Sequence, residues 1–486
     1  MKVHLMARDE TFSISRSLPY NVDELKTDLC LASVINIMAD GDEIIHSSVG
    51  IALLSPLTES HKILYRQAVL SDCLRNSDKV RELYALVQNA LISQQQRHLQ
   101  FSVLQTVTDQ FNCGLLRLKS LLEALRKLRA YSEQNAARFQ SEGFQSFLTD
   151  QRENLDDDFF QQSDDLIEQL QFKNGMLIGA CLSKTGRSFG HNLLRYEPAS
   201  CTEWDKEPYY YVNETDAKGI SDLLHRREVA MSDSNRILVR AVSYIEDYLR
   251  SLQRELAFYI GCLNLHEKLT EHGIPTCIPT IFPAKQWVST DLFELNAGLS
   301  AEKPVSNDLS LNQRCSVITG ADLGGKTTFL RSIGQSQLML QCGMFVAAVQ
   351  HQAPIVNGVY THFQREEDRE LIYGKLEEEL SRMSAIIEHL NSEALVLFDE
   401  SFCSTNQREG SEIAWQVTKA LLSQDITVFT VTHLYPFAKR LYDQYSTDTA
   451  FLCAERLSDG TRTKRIIPGA PQRTSFSEDL YQEVFC

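Results

Sequence analysis

The stretch Val317-Ile318-Thr319-Gly320-Ala321-Asp322-Leu323-Gly324-Gly325-Lys326-Thr327-Thr328 reads as a strand, a glycine loop, a lysine and a helix start. Gly320, Gly325, Lys326 and Thr327 satisfy the spacing G-x-x-x-x-G-K-[ST], and Gly324 is an additional glycine. Glycines let backbone N–H groups turn toward phosphate oxygens with no Cβ in the way. Lys326 is placed to reach the β- and γ-phosphates and the Thr327 hydroxyl to ligate Mg²⁺. The apolar run Cys315 to Ile318 predicts a buried strand before the loop. Phe329, Leu330, Ile333 and Leu338 recur at helical spacing after it, so the phosphates of a nucleotide would rest on a helix N-terminus.

Working outward, Ala394 to Phe398 is a second apolar run that ends in Asp399-Glu400. Asp399 at a strand end is a candidate Mg²⁺ ligand, and Glu400 a candidate to orient or deprotonate an attacking water. A third run, Ile426 to Thr432, ends at His433. A lone histidine is either structural or a contact for the γ-phosphate; the repeated strand-end placement favours the contact. From Pro275 onward strands and helices alternate, as in an α/β nucleotide-binding domain.

The preceding part reads as helical. Helices are expected over Asp23 to Met38, Ile63 to Leu70 and Val80 to Ile92, and one long helix from Leu99 to about Ser141. Arg117, Lys119, Arg126, Lys127 and Arg129 lie along that helix, and an acidic stretch with Asp156, Asp157, Asp158, Asp164, Asp165 and Glu168 follows; both runs read as solvated faces. A small β-rich unit is expected at 172–213. In it Met176-Leu177-Ile178 and Tyr209-Tyr210-Tyr211-Val212 read as strands, and Ser183-Lys184-Thr185-Gly186-Arg187 as a turn with two cations. A long helix over Asn235 to Glu271 returns from it, so a lever with something at its end is described.

The chain has 486 residues, enough for two to four domains by length, and a net charge of −16. That charge opposes nucleic acid unless basic residues are concentrated locally. Twelve cysteines occur without any C-x-x-C pair, which argues against a zinc or disulfide framework and for a reducing, cytoplasmic setting. No apolar run is long enough to span a bilayer, so no membrane role is expected.

With these motifs in place the chain resembles the MutS mismatch-repair ATPase family. Thr319 to Arg331 is similar to that family's phosphate loop, and Leu340-Gln341-Cys342-Gly343-Met344-Phe345-Val346-Ala347-Ala348 to the segment after it. Asp399-Glu400, Ser404-Thr405 and Glu409-Gly410 resemble its second motif and following signature, and Thr432-His433-Leu434 its histidine switch. More weakly, Met38 to Asp42, Pro56-Leu57-Thr58 and Tyr65 to Leu70 resemble the start of its core domain. The resemblance implies a multidomain α + α/β protein: a helical core over 1–98, lever helices over 99–272 with the β-rich clamp-like insertion, and an ABC-type P-loop ATPase domain over 275–486. It implies ATP and Mg²⁺, with nucleotide contacts from Asn307, Gly320, Ala321, Asp322, Leu323, Gly324, Gly325, Lys326, Thr327 and Thr328, and metal contacts from Thr327 and Asp399. Lys326, Glu400 and His433 would be catalytic, and Ser404 and Thr405 would face the nucleotide of the partner in a homodimer. DNA would be gripped through backbone contacts, for which Lys184, Arg187 and Arg195 are the candidates, with His191 and Asn192 nearby; an ordinary solvated hairpin remains the alternative.

Three departures carry expectations. The core begins almost at Met1, so the family's N-terminal Phe-x-Glu mismatch reader is not expected; the Thr474-Ser475-Phe476 and Asp479-Leu480-Tyr481 segments suggest that the ATPase domain ends normally. Asp322 stands where the family has Asn, a carboxylate that opposes phosphate unless paired. Gly374-Lys375-Leu376 replaces a Ser-Thr-Phe segment whose serine reaches the partner's nucleotide. The function expected is ATP-gated binding of structured or branched DNA in repair or recombination; a nucleotide-gated protein- or ribosome-interaction module is the competing reading.

Overall fold

The computed structural model describes residues 2–13, 18–101, 106–172, 175–194, 211–282, 286–300, 303–365, 374–458 and 460–473, with the backbone alone at 97–101. Arg195, Tyr209, Tyr210 and the segments named after Arg473 lie outside them. Contacts divide the chain into one unit of Met1–Leu5 with Asn76–Leu256 and another of Met6–Arg75 with Ala257–Cys486. Residues 6–75 fall in the same unit as the phosphate loop.

In that second unit the strands are β3 (Thr280–Ile281), β4 (Trp287–Leu292), β5 (Asn307–Leu311), β6 (Cys315–Thr319), β7 (Gln350–Ala353), β8 (Val359–Phe363), β9 (Leu395–Asp399), β10 (Thr427–Val431), β11 (Thr449–Arg456) and β12 (Arg462–Pro468); β1 (Ile178–Leu182) and β2 (Ser188–Leu193) belong to the other unit. The larger sheet has the order β12-β11-β6-β10-β9-β8. Its strands β11, β6, β10, β9 and β8 run parallel, and β12 pairs antiparallel with β11. Every residue of β6, β8, β9 and β10 is buried, the pattern of parallel strands covered on both faces. In register, Val431 of β10 stands beside Asp399 of β9, so the two strands end level. The order β3-β7-β4-β5 forms a smaller, four-stranded sheet.

The helix Lys326–Gln341 follows β6 and buries nearly its whole length. One face of the large sheet carries a core of Val317, Val396, Phe398, Trp415, Val428 and Phe437. The early helices dock on the same unit by hydrogen bonds as well as apolar contact. Leu57 and Gln341 exchange bonds, with Leu57 N donating to Gln341 O at 2.9 Å and Gln341 Nε2 to Leu57 O at 2.8 Å. Buried Arg66 donates to Met6 O at 3.1 Å and Cys342 O at 3.0 Å, which satisfies a guanidinium taken out of water. The single helix expected over Asp23 to Met38 is two, Val22–Asp28 and Leu31–Ala39, because Cys30 adopts a left-handed conformation that no helix continues through.

The first unit is helical: Ser77–Phe101, Val107–Asn135, Glu142–Asn154, Asp157–Leu170 and the portion up to Leu256 of the 55-residue helix Ala217–Glu271. The long helix expected from Leu99 starts later: Ser77–Phe101 runs past Leu99, and Thr106 caps a new start by accepting from Asp109 N at 3.1 Å. A Cβ on Gly114 would come within 2.9 Å of Leu238, so the two long helices touch where glycine leaves room. The basic and acidic runs meet: Arg126 pairs with Asp164 and Arg129 with Asp157, each at 2.6 Å. Those exposed pairs contribute little stability, but they commit part of the basic run internally.

The strands β1 (Ile178–Leu182) and β2 (Ser188–Leu193) form an antiparallel hairpin. Its turn closes with Gly186 N donating to Ser183 O at 3.0 Å and Ser183 N to Arg187 O at 2.9 Å, with Gly186 at φ 76°. The first strand begins at Ile178, later than Met176, and Tyr211 and Val212 are not in a strand.

Candidate nucleotide-binding site

The loop between β6 and the helix Lys326–Gln341 turns through left-handed residues at Gly320 (φ 125°), Leu323 (φ 60°) and Gly325 (φ 88°). A Cβ on Gly325 would lie 2.8 Å from Lys464 O and one on Gly324 2.7 Å from the Ala454 side chain, so β11 and β12 press against the loop and select glycine there. Lys326 is buried, and its Nζ donates to Gly320 O at 2.9 Å and Ala321 O at 3.0 Å. The loop is therefore wrapped around its own lysine.

The ends of β9 and β10 bring the other groups in. Glu400 follows β9 in a left-handed conformation (φ 54°), and its N–H donates to Val431 O at 3.0 Å. His433 Nε2 lies 2.7 Å from Glu400 Oε1 and 2.9 Å from Asp322 Oδ1. Both neighbours accept hydrogen bonds only, so Nε2 carries the proton and is shared between them. Lys326 Nζ stands 3.4 Å from the same nitrogen, a donor beside a donor, and 3.5 Å from Asp322 Oδ1. Hydrogen bonding to His433 holds the Glu400 carboxyl below its ordinary range, against its burial. Burial pushes the Asp399 carboxyl up to about 6, opposed by a hydrogen bond from Thr327 and reinforced by the charge of Glu400.

The residues fit Mg²⁺. Asp399 Oδ1 is buried with no hydrogen-bond partner, a polar atom whose desolvation a cation would repay, and the Thr327 hydroxyl is next to the same carboxyl. Thr328 follows it in the first turn of the helix.

The remaining candidates fall outside this cluster. Asn307 is buried at the start of β5, and its Oδ1 accepts from Ile466 N at 2.7 Å, joining β5 to β12. The Thr405 hydroxyl donates to Glu409 Oε2 at 2.8 Å, and Asn406 caps the helix Gln407–Ser423. Ser404 Oγ is buried beside the Glu379 carboxyl, and its hydrogen bond lowers that carboxyl's pKa against the larger effect of burial. Lys375 opens the helix Lys375–His389. Lys184 and Arg187 are exposed on the hairpin turn, without an ion pair among the described residues.

Sequence reasoning missed His362. It lies fully buried in β8, its Nδ1 2.7 Å from Ser401 Oγ and its Nε2 3.0 Å from Glu379 O, while Ser401 Oγ donates to His362 O at 2.6 Å. Its ring stacks on Phe402, also left-handed at φ 64°. These contacts clamp the turn that presents Glu400. The only signal in the sequence was a histidine inside an apolar strand.

Two family models match the chain. The MutS2 N-terminal domain family matches residues 58–272, and MutS domain V matches residues 316–473, between them most of the chain. The chain belongs to the MutS family. Among similar MutS-family proteins, the Endonuclease MutS2 of Streptococcus equi subsp. equi is 28% identical over 249 residues, 49% of this chain and 31% of that protein. The DNA mismatch repair protein MutS of Thermotoga neapolitana is 29% identical over 181 residues, 36% of this chain and 22% of that protein. MutS protein homolog 4 of Mus musculus is 34% identical over 138 residues, 28% of this chain and 14% of that protein. The matched part thus spans a third or less of these MutS relatives. Among the described residues no helix is long and apolar enough to cross a membrane.

Proposed function

We propose that this chain is a Mg²⁺-dependent ATPase of the MutS type that uses ATP to change its grip on DNA, structured or branched in preference to mismatched. The observation that supports this most is the meeting of Lys326, Asp322, Glu400 and His433 within hydrogen-bonding reach at the ends of β6, β9 and β10. Loop glycines and Lys326 would bind the β- and γ-phosphates, and Thr327 and Asp399 would hold Mg²⁺. When bound, Mg²⁺ would neutralise charge on the phosphate oxygens. Glu400, ionised because of its hydrogen bond to His433, would orient and deprotonate water, and His433 would sense the γ-phosphate.

In a homodimer Ser404 and Thr405 would approach the partner's nucleotide, and the long helices would link nucleotide state to the hairpin as a coupled free energy. Lys184 and Arg187 would contact phosphates, which gives affinity without sequence reading. Arg195 joins them as a sequence-level candidate.

ATP turnover measured with duplex, branched and single-stranded DNA at low and high salt tests the proposal. Turnover should respond to at least one DNA form and vanish in Lys326→Ala. Turnover indifferent to every form at low salt removes the DNA part. A salt-insensitive complex with protein or ribosome in place of DNA would support the competing reading, which the net charge of −16 favours.

A further inference from the structure

We infer that Asp322 is a specificity residue that stands in the place of the terminal phosphate, so that it weakens ATP binding more than ADP binding. This rests on the ATPase reading of the same site. Asp322 Oδ1 is 2.9 Å from His433 Nε2 and 3.5 Å from Lys326 Nζ, the two groups placed to bind the γ-phosphate. The Lys326 side chain is buried, whereas that of Asp322 is half exposed (51%). The carboxylate therefore lies over the lysine on the solvent side, where an incoming anion must arrive. An oxygen anion between an ammonium and an imidazole N–H makes the same two contacts that a γ-phosphate oxygen would make.

The consequence follows from charge and geometry. A γ-phosphate cannot share that position with a carboxylate, because like charges at such separation repel strongly outside bulk water. ATP binding must turn Asp322 outward, breaking its bond to His433. The exposure of Asp322 permits this movement. The departing carboxylate leaves His433 Nε2–H, already bonded to Glu400, to be shared with the phosphate, so that displacement of Asp322 and capture of the γ-phosphate by His433 are one event. ADP reaches only the β-phosphate end and leaves the Asp322–His433 contact in place. Asparagine at this position would keep a hydrogen-bonding amide and remove the competing charge.

The experiment is a fluorescence titration of the full chain with Mg²⁺ and either a non-hydrolysable ATP analogue or ADP, comparing wild type, Asp322→Asn and Lys326→Ala. Asp322→Asn should bind the ATP analogue about tenfold more tightly while ADP affinity stays within about twofold. Equal tightening of both nucleotides, no change, or weaker binding of the ATP analogue overturns the inference. If neither wild type nor Asp322→Asn binds any nucleotide, the ATPase reading itself falls. If wild type binds, Lys326→Ala does not, and Asp322→Asn matches wild type, only the role of Asp322 falls.

Discussion

His433 Nε2 lies 2.7 Å from Glu400 Oε1, so the histidine after β10 holds the carboxylate after β9. The contact keeps Glu400 ionised in a half-buried position. Under the ATPase reading Glu400→Gln should retain nucleotide binding and lose hydrolysis by roughly 10² to 10⁴-fold, the range for a general base. His433→Ala should lower the single-turnover rate less, and shift its acidic pH limb upward as Glu400 loses the partner that depresses its pKa. A pH profile of single-turnover hydrolysis checks this; an unmoved acidic limb in His433→Ala would mean that the contact does not tune Glu400.

The turn that presents Glu400 depends on a pair away from the phosphates. Ser401 Oγ donates to His362 O and faces His362 Nδ1, with left-handed residues at Glu400 and Phe402 on either side. Ser401→Ala removes these bonds with little change in volume. Unfolding by urea should show a loss of about 1–2 kcal/mol, the cost of leaving a buried imidazole nitrogen unpaired. Under the ATPase reading kcat should fall with KM nearly constant, since the phosphate loop is untouched. A drop in stability with unchanged kcat would restrict the pair to a structural role.

The α/β part was legible because its signals are local. A buried parallel strand is a continuous apolar run, and Cys315–Thr319 and Leu395–Asp399 announce themselves by ending in glycine and carboxylate. The pairing of Asp322 with His433 was not legible, because it joins positions over a hundred residues apart through the register of β6 and β10. The same limit hid the docking of Leu57 on Gln341 and the pairing of Arg126 and Arg129 with the acidic helix. The break at Cys30 was missed for another reason: a left-handed non-glycine residue leaves no mark in an apolar helical pattern.

Two buried histidines give the second unit a defined acid sensitivity. Burial lowers His351 to about 4 and is the largest cause lowering His362 to about 4, from an ordinary 6.5. Their folded-state pKa values lie below the unfolded ones, so between pH 6.5 and 4 the unfolded chain binds more protons. Stability from both is complete above pH 6.5 and is lost as pH falls toward 4, by at most roughly 3 kcal/mol for each histidine. Urea denaturation at several pH values should show this fall in wild type and a shallower one in His351→Gln. The raised Asp399 carboxyl adds an opposing slope common to both proteins, so a slope in His351→Gln equal to that of wild type would contradict it.

The hairpin turn supplies the remaining test. Lys184 and Arg187 are exposed beside Gly186, and the exposed Phe189 sits on the adjoining strand, so cations and an aromatic ring share one tip. Each cation that neutralises a phosphate releases condensed counterions, and contributes about 0.9 to the slope of log affinity against log salt on duplex DNA. If the chain grips DNA as proposed, replacing both Lys184 and Arg187 by Ala should reduce that slope by about 2 and weaken binding about equally on all sequences. The fold should be unaffected, because the turn is closed by backbone bonds of Ser183, Gly186 and Arg187 that alanine keeps. Fluorescence anisotropy over a salt series on duplex and branched DNA measures both quantities. An unchanged slope in the double variant would remove Lys184 and Arg187 as phosphate contacts.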